Sequence, residues 1–273
     1  MKILEMPKKA WVDLFKLINN YTDVVKFKAS KKEFRVEFVD PAYVLYGMIT
    51  IKEKKGNEDV VYYYDEDAPY EFGFDIGDAL GLLSHCPSEP LLMVQYDDDK
   101  TVIRFLDEHG LDIWQDLEDV AVSPWPKTKV DFDKCAQVHM SPKELYDVLN
   151  IADGINDCVK LITCAETSIF ACTTESEVEF CLDGLKDIKR GLTKTWVEEK
   201  DNETAPTVIN KGNKDRKVIV STDYLKKLLH DVSRVTDAMI LYIDTNYPIG
   251  VKFSFKNVPI TAEFAIAPRI ENE

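Results

Sequence analysis

No stretch of this 273-residue chain reaches the roughly 18 consecutive apolar residues that a membrane-spanning helix requires. The start, MKILEMPKKAW, also lacks the long apolar core of a secretory leader, so the expectation is an intracellular protein with no membrane contact. The six cysteines (Cys86, Cys135, Cys158, Cys164, Cys172, Cys181) include no CxxC pair and read as buried, reduced thiols rather than as a redox or metal centre. The four histidines (His85, His109, His139, His230) show neither HxH nor HExxH spacing, and there is no glycine-rich phosphate loop or GxSxG elbow. No catalytic residue, metal or cofactor is therefore assigned. Positive charge is scarce too: 34 Lys and Arg stand against 49 Asp and Glu, a net charge of −15, which excludes a protein coated in phosphate-neutralising side chains.

Acidic clusters are the remaining enzymatic signal. Asp65-Glu66-Asp67 and Asp97-Asp98-Asp99 have the oxygen ligands that Mg²⁺-dependent phosphoryl chemistry needs. Each lies between β-rich runs, Val60 to Tyr64 before the first, Leu91 to Tyr96 and Thr101 to Leu106 around the second, and reads as a hairpin turn.

The sequence is rich in repeated amphipathic pattern, and 45% hydrophobic content is ample for burial. Leu225, Leu228, Leu229 and Val232 recur at helical spacing, followed by strand-like runs over Met239–Ile243, Ile249–Phe255 and Ile260–Ile266. The same unit recurs. A stripe of Leu14, Phe15, Leu17 and Ile18 leads into Asp23-Val24-Val25-Lys26-Phe27, and Leu145, Val148, Leu149 and Ile151 lead into Asp157-Cys158-Val159-Lys160-Leu161, 134 residues later. Ile76, Leu80, Leu82 and Leu83 echo the Leu225 stripe at an offset of 146, and the surplus is expected between Glu198 and Asp215. The spacing predicts an α+β chain of two similar domains, each with two helices packed on antiparallel sheets: residues 1–114, a connector over 115–132, and residues 133–273.

Three segments carry a family resemblance. The tail ends in Ala267-Pro268-Arg269-Ile270. Val39-Asp40-Pro41-Ala42-Tyr43-Val44 follows a predicted strand. QDLEDVAVSPWPKTKVDF, residues 115–132, joins the halves. In these segments and in its order of elements the chain resembles the proliferating cell nuclear antigen (PCNA) family of sliding clamps, archaeal and eukaryotic. The resemblance implies a DNA clamp fold and a non-catalytic ring around duplex DNA, sequence-independent, acting as processivity factor for a DNA polymerase. It further implies that the clamp loader, a flap nuclease and ligase dock through short peptide motifs. It places one socket wall at Val39, Tyr43 and Val44, a second at Val122, Pro124, Trp125, Pro126 and Val130, and a third at Pro248, Ala265, Ile266, Ala267, Pro268 and Ile270. It sets Lys8, Lys9, Lys16, Lys143, Lys226, Lys227, His230 and Arg234 on helices facing DNA. Edge strands over Gly110–Leu117 and Glu177–Leu182, with Ile113, Trp114 and Phe180 as apolar contacts, would close a trimer.

The helix charges depart from the family pattern. Residues 8–20 and 222–234 carry +2 and +1, whereas 75–85 and 141–153 each carry −2; Asp75 and Asp223 stand at helix starts, where they can act as caps. Two other readings follow: a specialised subunit of a heterotrimeric or checkpoint-type clamp, and an acidic protein-binding regulator that never meets DNA.

Overall fold

A computed structural model describes residues 2–52, 60–85, 91–96, 102–106, 112–116, 130–163, 170–173, 179–181, 188–189, 207–209 and 214–269. The chain divides into unit 1, Met1–Thr128 with Ser254–Ala262, and unit 2, Lys129–Phe253 with Glu263–Glu273. The division falls inside the sequence-predicted connector.

Unit 1 contains β1 (Lys2–Met6), α1 (Lys8–Asn19), β2 (Val24–Ser30), β3 (Glu33–Val39), β4 (Leu45–Ile51), β5 (Val61–Tyr62), β6 (Tyr70–Asp75), α2 (Ile76–His85), β7 (Leu91–Tyr96), β8 (Val102–Leu106) and β9 (Asp112–Asp116). One sheet runs β5-β1-β7-β8-β9, and the other contains the run β4-β3-β2-β6. Strict alternation in β2, β3 and β4 sends every second side chain inward, the arrangement expected of a sheet with one face on a core. Against that face α1 buries Ala10, Trp11, Leu14, Phe15, Leu17 and Ile18, and α1 packs on α2. The core is aromatic: Phe15 meets Phe27 edge-on at 6.2 Å, and Phe27 stacks on Phe72 at 5.5 Å. Tyr62 on β5 ties the two sheets, its hydroxyl donating to the carbonyl of Ser30 (2.6 Å) and accepting from the Ser30 N–H (2.9 Å).

Unit 2 repeats the order. It contains β10 (Ala136–Met140), α3 (Pro142–Asp153), β11 (Cys158–Thr163), β12 (Phe170–Thr173), β13 (Glu179–Cys181), β14 (Ile188–Lys189), β15 (Thr207–Ile209), β16 (Arg216–Ser221), α4 (Thr222–Val235), β17 (Met239–Ile243), β18 (Ile249–Ser254) and β19 (Ile260–Ile266), whose opening residues cluster with unit 1. Its sheets run β15-β10-β17-β18-β19 and β14-β13-β12-β11-β16. Strand for strand these match β5-β1-β7-β8-β9 and the order in β4-β3-β2-β6, with β14 as the one addition among the described residues. The helices start at the predicted offsets: α3 begins 134 residues after α1 (Lys8 to Pro142), and α4 146 after α2 (Ile76 to Thr222). Between β13 and β16 the chain runs over residues 182–215, against residues 52–69 between β4 and β6, so the surplus lies on the amino side of β16.

Local chemistry explains the helix starts. Asp75 caps α2, its carboxylate accepting the Asp78 N–H at 3.0 Å. Pro142 occupies the first position of α3, where its missing N–H costs nothing. Asp223 does not cap α4, as the sequence suggested: Ser221 holds that position and Asp223 sits in the first turn, where its charge favours the helix dipole instead. Cys135, Cys158 and Cys172 are buried and in no disulfide, and burial pushes the Cys172 thiol up to about 12. Among the described residues no helix is long and apolar enough to cross a membrane.

Candidate functional site

The turn between β3 and β4 is built around one buried carboxylate. Asp40 is 5% exposed, and its Oδ1 accepts the N–H groups of Val44 (2.8 Å) and Leu45 (2.6 Å) while Oδ2 accepts that of Ala42 (3.2 Å). Backbone bonds close the same turn, from the Asp40 N–H to the Leu45 carbonyl (3.0 Å) and from the Tyr43 N–H to the Asp40 carbonyl (2.9 Å). The braced loop holds Tyr43 at φ +58°, a left-handed conformation that a bulky residue rarely adopts, and leaves its side chain 82% exposed. Val39 and Val44 flank it half-buried. Sequence matching named Tyr43 and its valines; what it missed is that Asp40 makes the loop.

In unit 2 the described remainder of the predicted walls is Val130 and Pro248, both half-buried, Ala267, exposed, and Pro268, half-buried. Ala265 and Ile266 are 4% and 0% exposed: they end β19, where both faces of the strand are covered. Just beyond Pro268 the Arg269 N–H donates to the carbonyl of Ile219 on β16 (2.8 Å), fixing the tail. Val122, Pro124, Trp125, Pro126 and Ile270 lie outside the described residues.

Burial and pairing decide which helix charges face outward. On α4 the exposed positions are Asp223, Lys227, His230 and Arg234, one stripe at helical spacing. Asp231 is buried under His230, whose Nδ1 lies 3.2 Å from its carboxylate, and Asp153 of α3 is paired with Lys226. Lys226 beside Asp153 holds that carboxyl below the usual carboxylate range. Pairing takes out Asp153 together with Lys226 and burial takes out Asp231, so the exposed α4 stripe of Asp223, Lys227, His230 and Arg234 keeps the net +1 of the helix sequence, with the histidine counted neutral. On α1, Lys9 and Lys16 are exposed and Lys8 half-buried, with Asp13 paired to Lys9. Lys143 is exposed on α3 beside an exposed Asp147. The exposed residues of α2, Gly77, Asp78, Gly81, Ser84 and His85, include no lysine or arginine.

Ile113 and Trp114 lie in β9, the end strand of its sheet. Phe180 lies in β13, one strand in from the end, with the two-residue β14 outside it. The Asp65–Asp67 cluster lies in the irregular segment between β5 and β6, which belong to different sheets, so it is not the expected hairpin turn; Asp67 is paired to Lys31 at 2.6 Å, and Asp97–Asp99 lies outside the described residues.

Whole-chain comparison of this architecture decides its class. The structure of PCNA from Thermococcus kodakaraensis superposes with a TM-score of 0.74 over 98% of this chain and 99% of that one, at 14% sequence identity. PCNA of A. fulgidus, in a structure described as the carboxyl-terminal region of FEN-1 bound to it, matches with a TM-score of 0.75 over the whole of both chains, at 19% identity. The fold is that of PCNA. No protein-family model matches the chain, and no curated protein matches it in sequence. At 14% and 19% identity the likeness is one of fold.

Proposed function

We propose that the protein is a sliding clamp: a ring of copies of this chain that encircles duplex DNA and tethers replication and repair enzymes by short peptide motifs. The observation that carries this reading is the repetition of strand order and helix pairing between the two units, with β14 as the one addition among the described residues, on a chain whose fold matches PCNA from end to end. A duplicated unit with an end strand such as β9 is suited to head-to-tail closure, because pairing that closes removes every open edge. Lys9, Lys16, Lys227, His230 and Arg234 are the side chains assigned to phosphate contact, and a ring held by encirclement needs little affinity from them. Partner peptides are assigned to Tyr43 with Val39 and Val44 in unit 1, and to Val130, Pro248, Ala267 and Pro268 in unit 2. A few buried anchors carry most of the affinity in such docking, and tethering raises the enzyme's effective concentration at its template. The division into domains at 1–114 and 133–273, a homotrimer, and an intracellular setting complete the proposal, with no catalytic step of its own.

The test is to load the protein onto nicked circular DNA with a clamp loader and then linearise the circle. Retention on the circle and loss from the line is the expected result; retention on neither overturns encirclement. The cation-free exposed face of α2 favours a second reading, a subunit of a heteromeric clamp. A chain that stays monomeric alone and enters a ring only when a paralogue is added would establish that reading.

A further inference from the structure

Gly250 on β18 has no steric room for any side chain, and the reason is a single ring. A Cβ there would lie 2.7 Å from Cζ and 2.8 Å from Cε1 of Phe132, well inside contact distance. The Phe132 ring is 7% exposed and stacks on Tyr242 with centroids 5.0 Å apart and planes 19° apart. Tyr247 closes the third side, edge-on at 6.3 Å and 87°. The Tyr247 hydroxyl also accepts the Asp131 N–H (3.1 Å), the Asp131 carboxylate accepts the Asp133 N–H (2.9 Å), and the Phe132 carbonyl accepts the Cys135 N–H (3.1 Å). The clasp therefore fastens residues 131–133, where the sequence-predicted connector ends, onto β17, β18 and the turn between them, all within unit 2. Val130 precedes the clasp by one residue and Pro248 follows Tyr247 directly, so each of the two assigned docking residues is joined in sequence to a member of it. Neither Phe132 nor Gly250 carries an exposed surface for a ligand.

We infer that Phe132, seated on Gly250, is a positioning residue for partner docking: it fixes Val130 relative to Pro248 before a peptide arrives, so that binding does not have to order them. The inference rests on the docking reading above. An ordered binding edge raises affinity by lowering the entropy lost on association, and its loss shows chiefly as faster dissociation.

The experiment uses the full-length chain and a synthetic peptide of the FEN-1 carboxyl-terminal region, with affinity by calorimetry and amide exchange by mass spectrometry. Gly250→Ala expels the ring and is expected to weaken the peptide about tenfold, a loss typical of one or two side chains that must be ordered anew. It should also accelerate exchange at residues 130–133 while α4 and β17 exchange at the parent rate. Phe132→Ala, which empties the seat without adding an atom, should do the same and serves if Gly250→Ala does not fold. Adding Phe132→Leu to Gly250→Ala makes room for the new methyl and should restore most of the affinity. Affinity within twofold of the parent in Gly250→Ala or Phe132→Ala, with exchange at 130–133 accelerated, overturns the inference. Pro268→Ala separates the two levels: if it abolishes binding while the clasp variants retain it, the clasp reading alone falls. A parent chain that does not bind the peptide overturns the docking reading and the clasp role with it.

Discussion

At the residue scale the clearest arrangement is the balance between Asp40 and Tyr43. A buried carboxylate that accepts three backbone N–H groups over-determines the turn, and that surplus is what holds a tyrosine in a conformation costing about 1–3 kcal/mol. Asp40→Ala leaves the Leu45 N–H buried without its acceptor and should lower stability by about 2 kcal/mol, read from urea denaturation. Tyr43→Gly should do the reverse, raising stability by roughly 0.5 kcal/mol because relief of the left-handed strain exceeds the added chain entropy, while weakening peptide binding. A Tyr43→Gly variant that loses stability would show the loop to be unstrained. Tyr62 gives a pH signature. Burial pushes its phenol up to about 12, against an ordinary value of 10.0. An unfolded tyrosine thus ionises first as pH rises, so the stabilisation is complete below pH 10 and is lost between about pH 10 and 12. Stability of Tyr62→Phe should be lower at neutral pH, where the hydroxyl's bonds to Ser30 are missing, but should fall less steeply over that alkaline window.

At the scale of elements, α4 and α2 set the expectations for DNA. Burial of Asp231 and pairing of Lys226 with Asp153 cancel in the charge of α4, whose outward face presents Lys227, His230 and Arg234 with Asp223 beside them, a net +1. Lys16→Ala, Lys227→Ala and Arg234→Ala should each reduce the slope of log affinity against log salt by about 0.9 per site occupied, whereas Asp78→Asn on α2 should leave that slope near the parent value. Equal slopes in all four variants would remove the duplex from these faces. The same elements show what could be read from the sequence. Period-2 and period-3.6 patterns placed α1, α4 and β17–β19 almost to the residue, because one face of each meets a core and the other meets water. The pattern did not reveal β1, whose Ile3, Leu4 and Met6 are all buried and break the alternation, nor β14 and β15, which are too short to have a period. The proposed site was legible only as segments: Tyr43, Pro248 and Pro268 stand in stretches that can be picked out locally. The burial of Ala265 and Ile266 was not legible, because an apolar tail reads alike whether it ends a strand or lines a groove. Asp40 and Phe132 were invisible as organisers because their partners, backbone amides across a turn and a glycine on a distant strand, are brought to them by the fold.

For the whole molecule the question is how the edges are used. The two units share one strand order, so β13 in unit 2 corresponds to β4 in unit 1 and β9 corresponds to β19. Under the ring reading β9 of one copy meets β13 of the next, and β13 is where the two units differ, since β14 pairs with it through Glu179↔Lys189 and Phe180↔Ile188. Two residue pairs make a weak ladder, and the three residues of β13 offer an incoming strand at most one pair more than β14 takes. Under the ring reading β14 would compete for the subunit edge. Ile188→Pro removes the N–H and the extended partner that β14 needs. It should move the monomer-to-ring midpoint, measured by light scattering across a dilution series, to about tenfold lower concentration, the effect of roughly one ladder bond and its closure released from competition. Phe180→Glu in the same background should return the chain to monomer by placing a charge in the new sheet edge. If Ile188→Pro leaves the midpoint unmoved or raises it, β14 does not compete with the neighbouring copy, and the contact lies elsewhere than on β13.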